Sequence, residues 1–182
     1  MLKIIRDPQD PLLALVADDP VRPHIDPLLR ITPPNLIFAL VGADADSPPS
    51  AMVCVVFVQD VPHDEAGLWI SADQPQVAVF YTVWSYLPGS GRDIIFAVRE
   101  WILANCPKIT RFVTLSPPTE MARRFHMKNG ASVFRVNADS VNYEYPGRLD
   151  QDPVGPDHSQ QLPVSLDPQP PATAHSSVAD HQ

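Results

Sequence analysis

Cysteine is scarce in this chain. Cys54 and Cys106 are the only two among 182 residues. One lies in an apolar run and the other at a helix end, with no metal-ligand spacing between them. That removes a zinc site and a disulfide scaffold, leaving free thiols, as a reducing cytosol expects. Long apolar runs are also missing. The longest, Ala51–Val58, is far short of the ~20 residues of a spanning helix. The N-terminal MLKIIRDPQDP lacks the apolar core of a secretory signal. A cytoplasmic protein without a membrane partner is therefore expected. Basic charge is in deficit, with 13 Lys and Arg against 21 Asp and Glu, net −8. No basic cluster is interleaved with aromatics, so a nucleic-acid partner is not expected. Aromatic residues are absent altogether from Gly147 to Gln182.

What is abundant is proline, with 22 residues. Residues 147–182 hold six prolines, five aspartates and one arginine. Such a segment buries too little apolar surface to offset its ordering entropy, so a disordered tail is expected over 147–182. Its histidines, His158, His175 and His181, are spread out and read as solvated. The folded domain is placed at 1–146. Charge is uneven within it. Met1 to Gly91 carries four basic and eleven acidic residues; Arg92 to Arg135 carries eight basic and three acidic. A basic second half suits a polyanionic ligand and an acidic first half a cationic one, although a solvated surface also accommodates this asymmetry.

Hydrophobic patterning gives the elements. Pro11 to Asp18 reads as a short helix, and Pro20, Pro23 and Pro27 forbid its extension. Leu12, Leu13, Val16, Leu28 and Leu29 are expected to pack this arm. Asn35 to Gly42 and Ala51 to Pro62 read as a hairpin, and Gln76 to Leu87 as a Val- and aromatic-rich strand. Ile94 to Asn105 has an apolar stripe of Ile94, Ile95, Val98, Trp101 and Ile102. Then come a strand (Arg111 to Pro117), a helix (Thr119 to Gly130, with Met121, Ala122 and Phe125 at helical spacing) and a hairpin of Ser132 to Val136 and Val141 to Tyr145. The class is mixed α/β, mostly antiparallel, with one parallel β-α-β unit.

Between the third strand and its helix stands PGSGRD, Pro88 to Asp93. Glycines there leave backbone N–H groups open, and the helix N-terminus adds partial positive charge, a setting for a phosphate. Ser90 and Asp93 have capping-box-like spacing. A dinucleotide fingerprint would need a third glycine, where Ile94 stands. A tight turn that only starts a helix is the other reading.

The surroundings resemble the GNAT acyltransferase superfamily. Tyr86-Leu87-Pro88-Gly89-Ser90-Gly91 is similar to its [Gln/Arg]-x-x-Gly-x-[Gly/Ala] pyrophosphate turn, with Tyr86 in place of Gln or Arg and Arg92 next to the turn. ARRFHMKNGA, Ala122 to Ala131, resembles its last helix and places His126 at the family's Tyr. CPKITRFVTLSP, Cys106 to Pro117, is similar to a strand end of malonyl-CoA decarboxylases, whose C-terminal domain is GNAT-like. The resemblance implies a splayed strand pair that admits acetyl-CoA as acyl donor. Gly89, Ser90, Gly91, Arg92 and Asp93 would border the pyrophosphate. A backbone N–H at Val83 or Trp84 would polarise the thioester carbonyl. His126, as imidazolium, would protonate the CoA thiolate.

Ser116 would contact the ligand or cap the next helix, and Trp84 and Tyr86 would line the pocket or pack within the strand. No acid stands on the third strand to serve as base. Asp60, His63, Asp64 and Glu65 can reach the site or form a solvated turn. The leading expectation is an N-acyltransferase acting on an amine of a small molecule or protein. The alternatives are a non-catalytic acyl-CoA-binding module and, behind it, a malonyl-CoA decarboxylase-like enzyme. No metal is expected. A homodimer stays open.

Overall fold

The computed structural model describes residues 1–43 and 47–147. Apart from Gly147, the tail expected over 147–182 lies outside the described residues. Seven strands form one sheet: β1 (Leu2–Ile5), β2 (Asn35–Leu40), β3 (Ala51–Val58), β4 (Val77–Ser85), β5 (Arg111–Thr114), β6 (Ser132–Val136) and β7 (Val141–Tyr145). Their spatial order is β1-β2-β3-β4-β5-β7-β6. Among the described strands only β4 and β5 run parallel. A parallel pair needs a crossover, and helix α2 (Ser90–Asn105) supplies it. Helices α1 (Pro27–Ile31) and α3 (Glu120–Lys128) and 3₁₀ turns at Pro11–Asp18 and Ala66–Trp69 complete the elements.

Both faces of the central strands are covered, which is why β3 reads as one unbroken apolar run. On one face, Met52, Cys54, Val79 and Tyr81 pack against Leu13, Val16 and Ile25 of the N-terminal arm. On the other, Val53, Val55, Ala78 and Phe80 meet Ile94, Ile95, Val98 and Ile102 of α2. Each fully buried Ile or Val contributes about 1.5–3 kcal/mol relative to exposure. Trp101 of the same stripe meets Phe38 edge-on, with ring centroids 5.3 Å apart.

Besides strands that end earlier than the patterning suggests, β3 at Val58 and β4 at Ser85, and the short helix α1, the structure departs from the sequence reading in these respects. Leu2–Ile5 forms an edge strand that the reading left out; four residues hold too little alternation to show without their partner β2. Helix α2 begins at Ser90, with Gly89 rather than Ser90 as its N-cap and no side-chain cap bond. Leu28 and Leu29 point outward, while Arg30 is fully buried. Met121 is 79% exposed, at the rim of a cavity that α3 borders, while Phe125 and His126 of the same helix turn inward.

Candidate active site

Strands β4 and β5 pair only from Val77 to Phe80 and from Arg111 to Thr114, and then part. On the β5 side, the chain after Thr114 follows β7: Ser116 and Val141 exchange backbone hydrogen bonds of 3.0 and 2.8 Å. On β4, a bulge opposite Cys54 and Val55 inserts Tyr81. The bulge turns two consecutive side chains to one face. Tyr81 joins the arm-side core, and Thr82 Oγ1 donates to Asp19 Oδ1 at 2.6 Å. Regular alternation then resumes. Tyr86 N–H bonds Ser50 O at 2.9 Å, so the Thr82 and Trp84 amides face β3 and the Val83 amide faces the gap. Of the two N–H groups named as carbonyl donors, that of Val83 points into the gap and that of Trp84 toward β3. The Trp84 side chain does line the cavity, with Nε1 donating to Tyr86 Oη at 3.0 Å.

The gap encloses a cavity of about 400 Å³. Val83, Trp84 and Ser85 form one wall and Ser116 and Pro117 another; Phe125 and His126 of α3 and Gly91 of α2 complete it. Ser116 does not cap α3. Thr119 does, its Oγ1 accepting from Ala122 N–H at 3.2 Å. Ser116 Oγ instead lies 2.9 Å from His126 Nε2, and His126 Nδ1 lies 2.9 Å from Tyr145 Oη. Ser116 Oγ also donates to Thr114 Oγ1 at 3.0 Å. In that arrangement Nε2–H donates to Ser116 and the Tyr145 hydroxyl donates to Nδ1. The imidazole also stacks on Tyr143, with ring centroids 4.8 Å apart.

Burial pushes the His126 pKa down to about 4, with no charged group to offset it. The ring is therefore neutral near pH 7, which corrects the imidazolium expected there. Burial also pushes the Tyr145 phenol well above its usual range, so it stays a proton donor. Ser116, His126 and Tyr145 thus form a neutral hydrogen-bonded chain ending at the cavity wall.

The glycine turn borders this cavity through Gly91. Gly89 has φ 85°, a left-handed conformation, and a Cβ placed there would meet nothing within 4 Å. A Cβ on Gly91 would lie 3.5 Å from the Phe125 ring. Ser90 is buried, and its N–H bonds Leu87 O at 3.3 Å. Arg92 and Asp93 are exposed; the Arg92 guanidinium stacks over Phe96, 4.8 Å from the ring centroid. Tyr86 Oη donates to Asp18 Oδ2 at 2.8 Å. Asp60, His63, Asp64 and Glu65 do not line the cavity. Glu65 is bonded instead to Arg22 and His24, at 3.2 and 2.7 Å.

Among solved structures, this chain is similar to malonyl-CoA decarboxylase from Agrobacterium vitis (TM-score 0.67, 20% identity), over 80% of this chain and 60% of that one. It is similar to a Bacillus subtilis acetyltransferase in complex with CoA (TM-score 0.55, 9% identity), over 80% of this chain and 97% of the other. A putative GNAT acetyltransferase from Desulfovibrio desulfuricans gives TM-score 0.53 at 13% identity, over 80% and 98%. The chain has a GNAT-type fold. It spans 60% of the length of that decarboxylase. No protein-family model and no curated protein sequence matches it. In this GNAT-type fold the parallel pair β4–β5 carries the splay, as the resemblance implied. Among the described residues no helix is long and apolar enough to cross a membrane.

The sequence reading missed Tyr145 as a partner of His126, and it missed a charged group around the splay. Asp19 and Arg30 form a fully buried ion pair at 2.8 Å, and Arg22 sits beside them. Burial alone would raise the Asp19 carboxyl. Hydrogen bonds from Thr82, Arg30 and the Val21 and Arg22 amides outweigh that and hold it below the usual range. No periodicity marks these residues, because they lie in a proline-interrupted arm.

Proposed function

We propose that this protein binds a short acyl-CoA in the β4–β5 cleft and acts on its acyl group, as a decarboxylase of malonyl-type acyl-CoA. The observation that carries this is the Ser116–His126–Tyr145 chain at a mostly apolar cavity that no carboxylate lines among the described residues. Decarboxylation breaks the bond between C2 and the carboxylate. The electron pair delocalises onto the thioester oxygen, and C2 then takes a proton. Apolar walls of Phe80, Val83, Trp84 and Phe125 solvate a carboxylate poorly and favour the loss of CO2. The Val83 N–H faces the gap, where it would stabilise the enolate oxygen. Ser116 and neutral His126 hold protons at the wall where C2 would lie. Phosphate contacts would come from the N–H groups of Gly89 and Gly91, since that of Ser90 is bonded to Leu87 O.

Incubation of the full chain with malonyl-CoA should release CO2 and form acetyl-CoA. Ser116→Ala should lower kcat about 100-fold or more with little change in KM. Absence of CO2 release despite saturable malonyl-CoA binding would sink the decarboxylase reading.

Transfer of an acetyl group to an amine is the second reading, supported by the likeness to the acetyltransferase solved with CoA. It lacks a base, since neutral His126 has too little proton affinity to deprotonate an ammonium group. CoA release from acetyl-CoA that depends on an added amine would establish it. Binding without turnover of either kind would leave a non-catalytic acyl-CoA-binding module.

A further inference from the structure

The splay has a second side. Beyond it lies a depression of about 650 Å³ whose lining includes Asp64, Glu65 and Asp139, with Arg22, His63 and Leu115 beside them. Tyr81 belongs to the wall of the first cavity and Leu115 to that of the second. Arg22, only 7% exposed, lines the second cavity and bonds the backbone of both Tyr81 and Leu115. Its Nη1 donates to Tyr81 O and its Nη2 to Leu115 O at 3.0 Å. Where two parallel strands pair, such carbonyls take N–H groups from the neighbouring strand. Here the guanidinium stands in for the missing ladder and fills the gap at once.

Arg22 is itself held from three directions. Nε donates to Glu65 Oε2 at 3.2 Å, its backbone N–H donates to Asp19 Oδ1 at 3.1 Å, and its carbonyl accepts from Arg30 Nη2. The acidic depression suits a cationic amine, yet Arg22, part of its lining, presents a fixed cation on the side that meets Tyr81 and Leu115.

We propose that Arg22 is a positioning residue that partitions the splay. It confines the acyl group of a bound acyl-CoA to the Ser116–His126 side and bars attack by a primary amine from the other. The proposal rests on the acyl-CoA reading of the cleft. With the partition removed, the fraction of the amine that is neutral in solution attacks the thioester carbon through its nitrogen, and the C–S bond breaks. CoA leaves as thiolate and takes the proton the amine sheds, giving an amide and free CoA.

The test uses acetyl-CoA with putrescine, tyramine and lysine amide as amines, and the full chain as wild type, Arg22→Ala and Arg22→Met. Alanine opens the gap; methionine keeps its bulk without the charge or the hydrogen bonds. Amine-dependent CoA release is expected to be absent in wild type, to rise about tenfold or more over background in Arg22→Ala, and to stay near background in Arg22→Met. A merely structural role would move both variants alike. Equal release by the two variants overturns the proposal, and so does amine-dependent release by wild type, a measurement independent of whether a variant folds. Arg22→Ser serves as the opening variant if Arg22→Ala does not fold. Calorimetric titration with acetyl-CoA separates the two failures. Binding without release in the opened variant overturns the partition alone, whereas no binding by wild type overturns the acyl-CoA reading and the partition with it.

Discussion

His126 has both ring nitrogens bonded, to Ser116 and Tyr145, and burial alone sets its proton affinity. Its folded pKa of about 4 lies below the unfolded value of 6.5. The unfolded chain therefore binds the extra proton first as pH falls. The stabilisation is complete above the unfolded value and is lost as pH drops toward 4. Urea denaturation at pH 7 and pH 5 should differ by about 2 kcal/mol from this residue, and His126→Asn should lose that difference. An unchanged slope in His126→Asn would show that the ring titrates normally. The position of His126 was legible in the sequence through the Ala122 to Ala131 pattern. Its charge state was not, because Tyr143 and Tyr145, the rings that bury it, lie on another element.

Among elements, the Pro88–Asp93 turn separates conformational from steric demand. Gly89→Ala forces a side chain into a left-handed backbone and should cost about 1–2 kcal/mol of stability, although nothing stands near the new methyl. Gly91→Ala makes only ordinary contacts with Phe125 and Ser85 and should leave the melting temperature nearly unchanged. It should still weaken CoA binding, since its methyl projects at the cavity wall. Thermal melts alongside CoA titrations check both; unchanged CoA affinity in Gly91→Ala would remove this turn from the ligand site. The N-terminal arm is tied to β4 through Asp19, which accepts from Thr82 and pairs with Arg30. Asp19→Ala leaves Arg30 buried and unpaired and should cost about 3–5 kcal/mol in denaturant unfolding. A loss below about 1 kcal/mol would mean that the arm contributes little. The glycine turn was readable from local residue types, whereas the bulge at Tyr81 was not, because it exists only as a mismatch of register with β3.

For the whole molecule, binding in the cleft must stabilise the fold, because the cleft forms only when β4, β5 and α3 are assembled. Acetyl-CoA at 100-fold above its dissociation constant should add roughly 2.7 kcal/mol. Differential scanning of the full chain with and without ligand reads this directly, and an unchanged melt at saturation would exclude the cleft as a CoA site. The sequence by itself determined the mixed α/β class, most strands, the α2 stripe and the glycine turn. Those features depend on neighbours within a few residues, where periodicity and backbone preference act. Only the tertiary structure decided that Ser116 meets His126 rather than capping α3, that His126 is neutral, and that Arg22 stands in the splay. Each depends on strands brought together from distant parts of the chain, where burial and the hydrogen bonds left open by unpaired strands set the outcome.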